Sequence, residues 1–198
     1  MKALLLTMLL GLLGGCAGMR LVDAQVKTGS VGPAIEAGAR YRFERLPSQV
    51  EDAGRTEQLE AMAEQALAQV GLVLDEQQAR YSVLLGARMQ SFLANAWGQP
   101  IGPNVGGPYG SVMIGTGNTM GGMFGWGMRF PPPTHYSFEV SLLLRDLASA
   151  MVVYDTRANH TGPWSDSANI LPALFRAALQ DFPQPPSGVR QVNIEIPR

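Results

Sequence analysis

The sequence has few of the side chains on which covalent and metal chemistry depend. Its 198 residues contain one cysteine, two histidines and, among 15 basic residues, only two lysines. A single cysteine excludes a disulfide within the chain. Charged residues make up 16% of the chain and the formal net charge is −1, which excludes a strongly basic nucleic-acid-binding protein and a disordered acidic one. The length and the hydrophobic content of 46% predict one folded domain.

The N-terminal 15 residues have the three-part layout of a secretory signal peptide. A positive charge at Lys2 precedes an apolar run over 3–13. At about 1.5 Å per residue, a helix over this run is too short to cross a hydrocarbon core of about 30 Å. The segment Leu13-Gly14-Gly15-Cys16 resembles the bacterial lipobox, whose cysteine is diacylated before cleavage. We therefore expect residues 1–15 to be removed and Cys16 to become the first residue of the mature chain.

The expected acylation of Cys16 predicts which non-protein groups the protein carries, that it binds the lipid bilayer, and where it is located. A covalent diacylglycerol and an N-acyl chain on this cysteine are the only non-protein groups that we expect, and each buried methylene contributes about 0.8 kcal/mol to binding the lipid bilayer. Ala17 stands where an aspartate commonly retains such lipoproteins in the inner membrane. Resemblance to that sorting rule predicts an anchor in the outer membrane, with the domain facing the periplasm. The alternatives are a buried free cysteine and a plain secretory signal cut nearby.

Apolar residues that alternate with polar ones predict strands, and apolar residues at helical spacing predict helices. Residues 16–38 contain small residues with little periodicity and are predicted to be a tether, so the domain is expected over 39–198. Because each strand has one apolar face, two amphipathic helices must cover that face. The prediction is an α+β two-layer sandwich with a mostly antiparallel sheet of about five strands and two helices on one face. The predicted strands are 40–44, 80–92, 136–144, 151–157 and 191–196, and the predicted helices are 55–70 and 170–182, the second with Pro172 in its first turn.

A glycine-rich insert interrupts the predicted domain at 98–133. Residues 98–127 hold 11 of the 23 glycines and show no periodic core pattern, and a loop this long inside a compact domain is usually functional or disordered. Aromatic and methionine side chains on a flexible backbone suit an apolar partner or a lipid interface. The candidate interaction residues are Trp97, Tyr109, Met113, Met120, Met123, Phe124 and Trp126. The alternative is a low-complexity excursion that binds nothing.

The sequence predicts no catalytic residues, no metal site and no phosphate-binding loop. Ser111 lacks the flanking glycines of a nucleophile elbow. After Gly115-Thr116-Gly117 the third glycine of a dinucleotide fingerprint is missing, and there is no P-loop lysine. His135 and His160 have no clustered carboxylate pattern around them, so we expect a protein that is not an enzyme. A hydrolase would need an acidic residue beside one of these histidines and a nucleophile within about 3 Å.

The polar face of the predicted sheet is a second candidate for binding. Arginine guanidinium groups on this face could present forks to a carboxylate or phosphate of a partner. The alternative is a solvent-exposed face crossed by salt bridges. The residues of this face are Arg40, Arg42, Glu44, Arg80, Arg88, His135, Glu139, Gln191, Asn193 and Glu195.

Several segments together have a known counterpart. They are the lipobox, Tyr41-Arg42-Phe43, Arg80-Tyr81-Ser82-Val83, a loop rich in glycine and tryptophan, Leu144-Arg145-Asp146, Val153-Tyr154-Asp155 and Phe182-Pro183. Together they resemble a family of small Gram-negative outer-membrane lipoproteins that is classed only as a domain of unknown function, and the resemblance covers about residues 38–183. It implies a membrane-tethered periplasmic α+β module and supplies no catalytic residues. The chain departs from the family at Ala79-Arg80, where many members have an acidic residue.

Two functions fit this sequence. The first is a membrane-anchored binding or adaptor module of the cell envelope, which binds an envelope protein through the insert and the polar sheet face. The second is a carrier of lipid or another small apolar ligand, with a pocket between helices and sheet lined by Tyr41, Phe43, Met89 and Phe138. No nucleic-acid partner is expected at this net charge.

Overall fold

A computed structural model describes residues 18–32, 34–95, 97–101 and 131–197, together with the backbone of two short strands within the insert. The described residues form nine strands and three helices. The strands are β1 (Met19–Ser30), β2 (Arg40–Glu44), β3 (Val73–Leu74), β4 (Tyr81–Leu93), β5 (Val112–Met113), β6 (Gly127–Met128), β7 (Thr134–Asp146), β8 (Val152–Gly162) and β9 (Val189–Pro197). The helices are α1 (Pro47–Glu51), α2 (Ala53–Gln69) and α3 (Ser167–Ala178).

Seven of these strands form one open sheet in the order β3-β2-β4-β7-β8-β1-β9. β2 runs parallel to β3 and β4, and the other neighbours are antiparallel. The parallel pairs arise because α1 and α2 carry the chain from the end of β2 back to the starts of β3 and β4. β5 and β6 form a separate two-stranded sheet. The α+β class is confirmed, whereas the predicted numbers of about five strands and two helices are too small.

The buried core lies between one face of the sheet and the helices. Side chains alternate along each strand, and the inward series of β7 from Phe138 to Leu144 is fully buried. α3 packs across β1, β7, β8 and β9 and against α2, while α2 packs against β3 and β4. The largest fully buried side chains include Tyr41, Leu67, Phe138, Tyr154, Ile170, Leu174 and Phe175. The helices therefore cover the apolar face, which is the arrangement that strands with one apolar face predict.

The predicted tether is wrong for Met19–Ser30, because these 12 residues are strand β1. β1 lies between β8 and β9 and buries Val22, Ala24 and Val26 beneath α3. Alternation is weak here because the inward positions at the two ends of the strand are Arg20 and Thr28, which a periodicity search does not count as apolar. The folded domain consequently begins before residue 39. The predicted signal peptide over 1–15 lies outside the described residues.

The last helix also starts earlier than its apolar pattern indicates. The Asp166 carboxylate accepts the N–H of Asn169 at 3.3 Å and caps α3, so the helix begins at Ser167 rather than after Asn169. Pro172 therefore lies inside the helix instead of in its first turn. The N-cap Asp166 lies four residues before Ile170, the first buried side chain of the helix, and an N-cap carries no apolar signal of its own, which explains the difference.

The hairpin predicted through 146–149 is confirmed. β7 ends at Asp146, and its carboxylate Oδ1 accepts the N–H groups of Ala148 and Ser149 at 2.9 Å each. These bonds close the turn before β8 begins at Val152. An aspartate at the first position of a tight turn commonly bonds in this way.

The burial of β1 gives a direct test of whether residues 19–30 form a strand or a tether. Ala24→Glu is expected to lower the free energy of unfolding by about 3–5 kcal/mol, or to abolish folding, because it places an unpaired charge in the core. The matched control Gln25→Glu changes the adjacent exposed residue and is expected to alter the free energy of unfolding by no more than about 0.5 kcal/mol. Urea unfolding followed by circular dichroism measures both. Equally small effects would mean that these residues are a tether.

Candidate binding surfaces

The sheet face turned away from the helices is open over the described residues. The strand register sets its outward side chains in rows that cross several strands. One such row consists of Glu44, Leu84, Leu143, Asp155 and Gly29. The next row consists of Gly86, Ser141, Arg157 and Lys27. These two rows place a pair of leucines beside small and charged residues on the solvent side of the sheet.

A groove of about 440 Å³ lies over these rows and is called here the leucine groove. Its floor and walls are Leu46, Leu84, Gly86, Ser141 and Leu143, and its rim is Lys27, Asp155 and Arg157. Small residues keep it concave: an added Cβ would lie 2.5 Å from Ser141 Oγ at Gly86, and 2.5 Å from Asp155 Oδ1 at Gly29. The volume falls within the range of about 300–1,000 Å³ typical of binding pockets.

The rim of the leucine groove carries a cation with no counter-ion among the described residues. Lys27 stands directly opposite Arg157, a pairing of like charges that is unfavourable across strands. The positive charge of Arg157 is compensated by Glu139, because Glu139 Oε1 lies 3.4 Å from Arg157 Nε. For Lys27 no ion pair is found within the described ranges. An apolar floor beside this ammonium group suits a partner that combines an apolar side chain with an acidic group.

Sequence reasoning missed the leucine groove, although a signal for it was present. Leu84 and Leu143 each stand next to an inward leucine, Leu85 and Leu142 respectively, and so interrupt the alternation of their strands. An apolar residue at an outward position of a half-exposed strand has no core to enter. Such a break in alternation on two neighbouring strands is the pattern that would have found the groove.

Two of the four arginines predicted to offer guanidinium forks are paired within the chain. Arg40 Nη1 lies 3.0 Å from Asp75 Oδ2, and Arg80 Nε lies 3.5 Å from Asp146 Oδ2. These pairs favour the alternative of a salt-bridged face at the end of the sheet where β2 and β4 begin. Of the other residues predicted there, Arg42, Arg88, Gln191, Asn193 and Glu195 are exposed, and His135 and Glu139 are half-buried.

A cleft of about 380 Å³ lies beside the helices, where the outer part of β4 extends past them. Its apolar floor is Leu59, Met62, Ala87, Met89 and Leu171, and polar groups at its mouth include Arg55, Gln49 and Ser167. The predicted ligand pocket is wrong in its composition. Tyr41 and Phe138 are buried in the core, and Phe43 packs edge-on against Tyr41 with ring centroids 5.4 Å apart. Of the four predicted lining residues, Met89 lines this cleft.

His160 has an acidic neighbour but no nucleophile among the described residues. Its Nδ1 lies 2.8 Å from Asp23 Oδ1 and 3.0 Å from the Asp23 carbonyl oxygen, so Nδ1 donates to them. Its Nε2 lies against Gly162, where an added Cβ would be 3.0 Å away. No hydroxyl or thiol in the described ranges bonds to this nitrogen. The pair holds β1 to β8 where the two strands diverge, and it lacks the attacking group that a hydrolase requires.

Two buried tyrosines have strongly raised pKa values, which is a common mark of a site for acid–base chemistry. Burial raises the pKa of Tyr154 to about 12, and burial, together with the Glu64 carboxylate, raises that of Tyr41. Both side chains belong to the core, so packing accounts for the shifts.

In the described part of the chain, no group of three or more potential metal ligands is found. Within the same ranges, no helix is both long and apolar enough to cross a membrane.

Trp97 is the one candidate interaction residue whose side chain the structure describes, and it is 87% exposed. It lies in a turn just beyond β4, where Asn95 Oδ1 accepts the N–H groups of Trp97 at 2.9 Å and Gln99 at 3.0 Å. The backbone of Met113 lies in β5, which pairs with β6. The other predicted site residues lie outside the described ranges: Tyr109, Met120, Met123, Phe124, Trp126 and the acylation site Cys16.

Comparison with known proteins gives distant structural neighbours. A PelC dodecamer from Paraburkholderia phytofirmans is similar, with 17% identity, 78% of this chain and 95% of that chain covered, and a TM-score of 0.43. A substituted form of that PelC gives 16% identity, coverages of 79% and 94%, and a TM-score of 0.43. A PDZ domain protein from Parabacteroides distasonis gives 13% identity, coverages of 89% and 39%, and a TM-score of 0.46. No curated protein matches the chain.

The family comparison covers most of the folded domain. The model of a domain of unknown function, DUF4136, matches residues 25–184, which is about four-fifths of the chain. The match begins inside β1 and ends between α3 and β9, so it includes every element of the domain except β9 and the first half of β1. The predicted resemblance to a family classed as a domain of unknown function is confirmed, and the chain belongs to the DUF4136 family.

Proposed function

We propose that this protein is a lipid-anchored, non-enzymatic binding module of the cell envelope, and that it binds an envelope protein in the leucine groove. The observation that carries the proposal is the groove itself: an apolar floor and an ammonium group on a sheet face that no helix covers in the described residues. Binding energy at protein interfaces concentrates in a few apolar anchors surrounded by a polar rim. Leu84 and Leu143 with Lys27 and Arg157 have this composition.

The anchor is the diacylglycerol and N-acyl lipid on Cys16, and the location is the periplasmic side of the outer membrane. The lipobox Leu13-Gly14-Gly15-Cys16 and the following Ala17 support this. Removal of residues 1–15 takes only Lys2 from the charged residues, so the mature chain has 14 basic and 16 acidic residues and a formal net charge of −2. This charge disfavours nucleic acid as a partner and leaves acylation as the means of membrane attachment.

The same features argue against catalysis and for binding. His160 and Asp23 form a hydrogen-bonded pair without a nucleophile in the described residues, and the tyrosines with raised pKa values lie in the core. The leucine groove holds no His or Cys side chain among its lining residues. Its acidic and basic groups lie at the rim, where they can orient a partner but do not face one another across a reacting centre.

A second candidate function is the carriage of a small apolar ligand in the cleft beside the helices. The apolar floor of this cleft and Arg55 at its mouth suit a single acyl chain with an anionic head group. A pocket of about 380 Å³ is near the lower end of the range that holds small ligands. The leucine groove is favoured over this cleft because the floor of the groove spans two central strands of the sheet, β4 and β7.

Loss of the acylated cysteine tests the anchor. Cys16→Ser is expected to remove all incorporation of a radiolabelled fatty acid and to release the protein from the membrane fraction, because a serine hydroxyl does not accept the thioether-linked diacylglycerol. The matched variant Ala17→Asp is expected to keep the label and to move the protein to the inner membrane. Labelling in cells followed by membrane separation measures both, and a fully labelled Cys16→Ser variant would contradict the anchor.

Lys27 gives a direct readout of the leucine groove, since it is the only lysine after residue 15. In intact envelopes an amine-reactive crosslinker is expected to join Lys27 to a partner, and Lys27→Arg is expected to lose the adduct. Leu143→Glu places a charge on the floor and is expected to reduce the adduct by about tenfold or more, the loss of about 1.4 kcal/mol. Gln191→Glu, on the same face but outside the groove, is expected to retain it.

Two outcomes of the crosslinking would contradict binding in the groove. One is the absence of any Lys27-dependent adduct in the unsubstituted protein. The other is an equal yield from Leu143→Glu and Gln191→Glu, since both add the same charge to the same face. Gel separation and mass spectrometry of the adduct identify which of these results is obtained.

Native mass spectrometry of the full chain tests the carrier function. If the cleft holds a ligand, the purified protein is expected to show a mass excess of one acyl chain beyond the lipid on Cys16. Leu59→Trp, which fills the floor of the cleft, is expected to lose that excess, whereas Leu143→Glu on the opposite face is expected to retain it. A mass that corresponds to the acylated chain alone would contradict this function.

A further inference from the structure

Five strand ends meet at the end of the sheet where β1 begins. The register pairs Met19 with Pro197, Leu93 with Thr134 and Tyr136 with Gly162. The start of β1, the end of β9, the end of β4, the start of β7 and the end of β8 therefore lie together. We call this the proximal end of the sheet. β4 and β1 are three strand spacings apart, which is about 15 Å where the intervening strands are paired.

Large apolar side chains are exposed at the proximal end. Met19 and Leu93 are about half exposed, at 50% and 51%, and Trp164, two residues after β8, is 49% exposed. With Trp97 these include both tryptophans of the described residues. Tryptophan is the side chain that favours the boundary between lipid and water, because its large ring is apolar and its N–H can reach a polar group.

Among the described residues, the arginine at the proximal end, Arg20, is turned inward. The Arg20 side chain is 10% exposed, forms an ion pair with Asp166 and lies with its guanidinium carbon 5.6 Å from the centre of the Trp164 ring. A hydrogen bond from the Asn169 side chain and the Arg20 charge lower the pKa of Asp166, so this carboxylate stays charged at neutral pH. The arrangement fixes the orientation of Trp164 and withdraws its neighbouring charges from the surface.

The opposite end of the sheet has a different surface. It also exposes apolar residues such as Met151 and Val189. Met151 bonds to Asp146, which pairs with Arg80, and Val189 precedes Arg190, which pairs with Asp181. The described residues at this end include no tryptophan. Charged groups at a lipid surface must keep their hydration, so this end is the less favourable one to bring against a bilayer.

The length of chain before β1 decides which end of the sheet faces the membrane. From Cys16 to Met19 there are three residue steps, which span at most about 11 Å when fully extended. From Met19 onward the chain is a strand of the main sheet and has no freedom to act as a tether. The headgroup region on each side of a bilayer is about 5–8 Å thick. An acylated Cys16 therefore brings the start of β1 to the membrane surface.

We propose that the proximal end of the sheet rests on the lipid bilayer, with Trp97 and Trp164 in its headgroup region. This rests on the acylation of Cys16 proposed above. The partner surface is the bilayer that holds the anchor. The orientation directs the opposite end of the sheet into the periplasm. Lys27, eight residues along β1 from Met19, then holds the leucine groove at most about 27 Å from the lipid surface.

Tryptophan quenching by brominated lipid tests this orientation. The acylated full-length mature protein is placed on vesicles of phosphatidylethanolamine and phosphatidylglycerol in which a fraction of the acyl chains is brominated. One variant keeps Trp164 through Trp97→Phe and Trp126→Phe, and a second keeps Trp97 through Trp126→Phe and Trp164→Phe. The control replaces all three tryptophans by phenylalanine and adds Met151→Trp at the opposite end of the sheet. Met151 is 58% exposed, so the new ring is accessible there.

The three variants have distinct expected results. Trp97 and Trp164 are expected to be quenched about threefold or more above the tryptophan at 151, because the length of β1 separates the two ends of the sheet by about 37 Å. Equal quenching at the two ends, or none at the proximal end in protein that floats with the vesicles, would overturn the orientation while leaving the anchor intact. Failure to float would overturn the anchor and the orientation together.

A measurement on the unsubstituted protein covers the case in which a variant does not fold. Amide hydrogen exchange is compared between the acylated protein on vesicles and the same chain carrying Cys16→Ser in solution. Slower exchange on vesicles is expected over 95–99 and 163–166, with no change over 146–151 at the opposite end. Protection over 146–151 alone, or over none of these segments, would overturn the proposed orientation.

Discussion

The pairing of β1 with both of its neighbours is the constraint on which the rest of this structure depends. On one side β1 bonds to β8, and on the other it is the only neighbour of β9 in the main sheet. Its inward residues form part of the floor beneath α3. Two polar contacts reinforce it: Asp23 accepts from His160, and Arg20 pairs with Asp166, the residue that caps α3. Without β1, β9 would have no partner and α3 would lose part of the surface against which it packs.

The charged side chains of this protein mostly hold elements together. Arg45 binds Glu60 with two nearly parallel bonds of 2.7 and 2.6 Å, which join the loop after β2 to the middle of α2. A two-pronged pair of this kind is among the stronger charge-assisted contacts. Glu44 accepts from Ser82 at 2.7 Å and so links β2 to β4 on the open face. The lysine at the rim of the leucine groove has no such partner within the described ranges and is available to a binding partner.

The two faces and the two ends of the sheet have different roles. The helix face supplies stability through a continuous apolar core, and the open face supplies the leucine groove, where glycine and serine leave space that larger side chains would fill. In the proposed arrangement the proximal end meets lipid and the groove faces sideways above it. In that arrangement, strand β1 lies between the proposed lipid anchor and the groove and fixes their separation, which a flexible tether would leave variable.

Local sequence pattern is enough to determine the α+β class, the β7–β8 hairpin and the two longer helices. Each of these depends on contrasts between neighbouring residues, such as the alternation from Tyr136 to Leu144. Strand β1 and the leucine groove depend on contacts distant in sequence. Ala24 and Thr28 are inward only because β8 and β9 lie on either side, and Leu84 meets Leu143 only through the register of β4 with β7. Local periodicity reports which face of an element is apolar, whereas tertiary pairing decides which elements meet, and the pairing made residues 19–30 a strand and two outward leucines a groove.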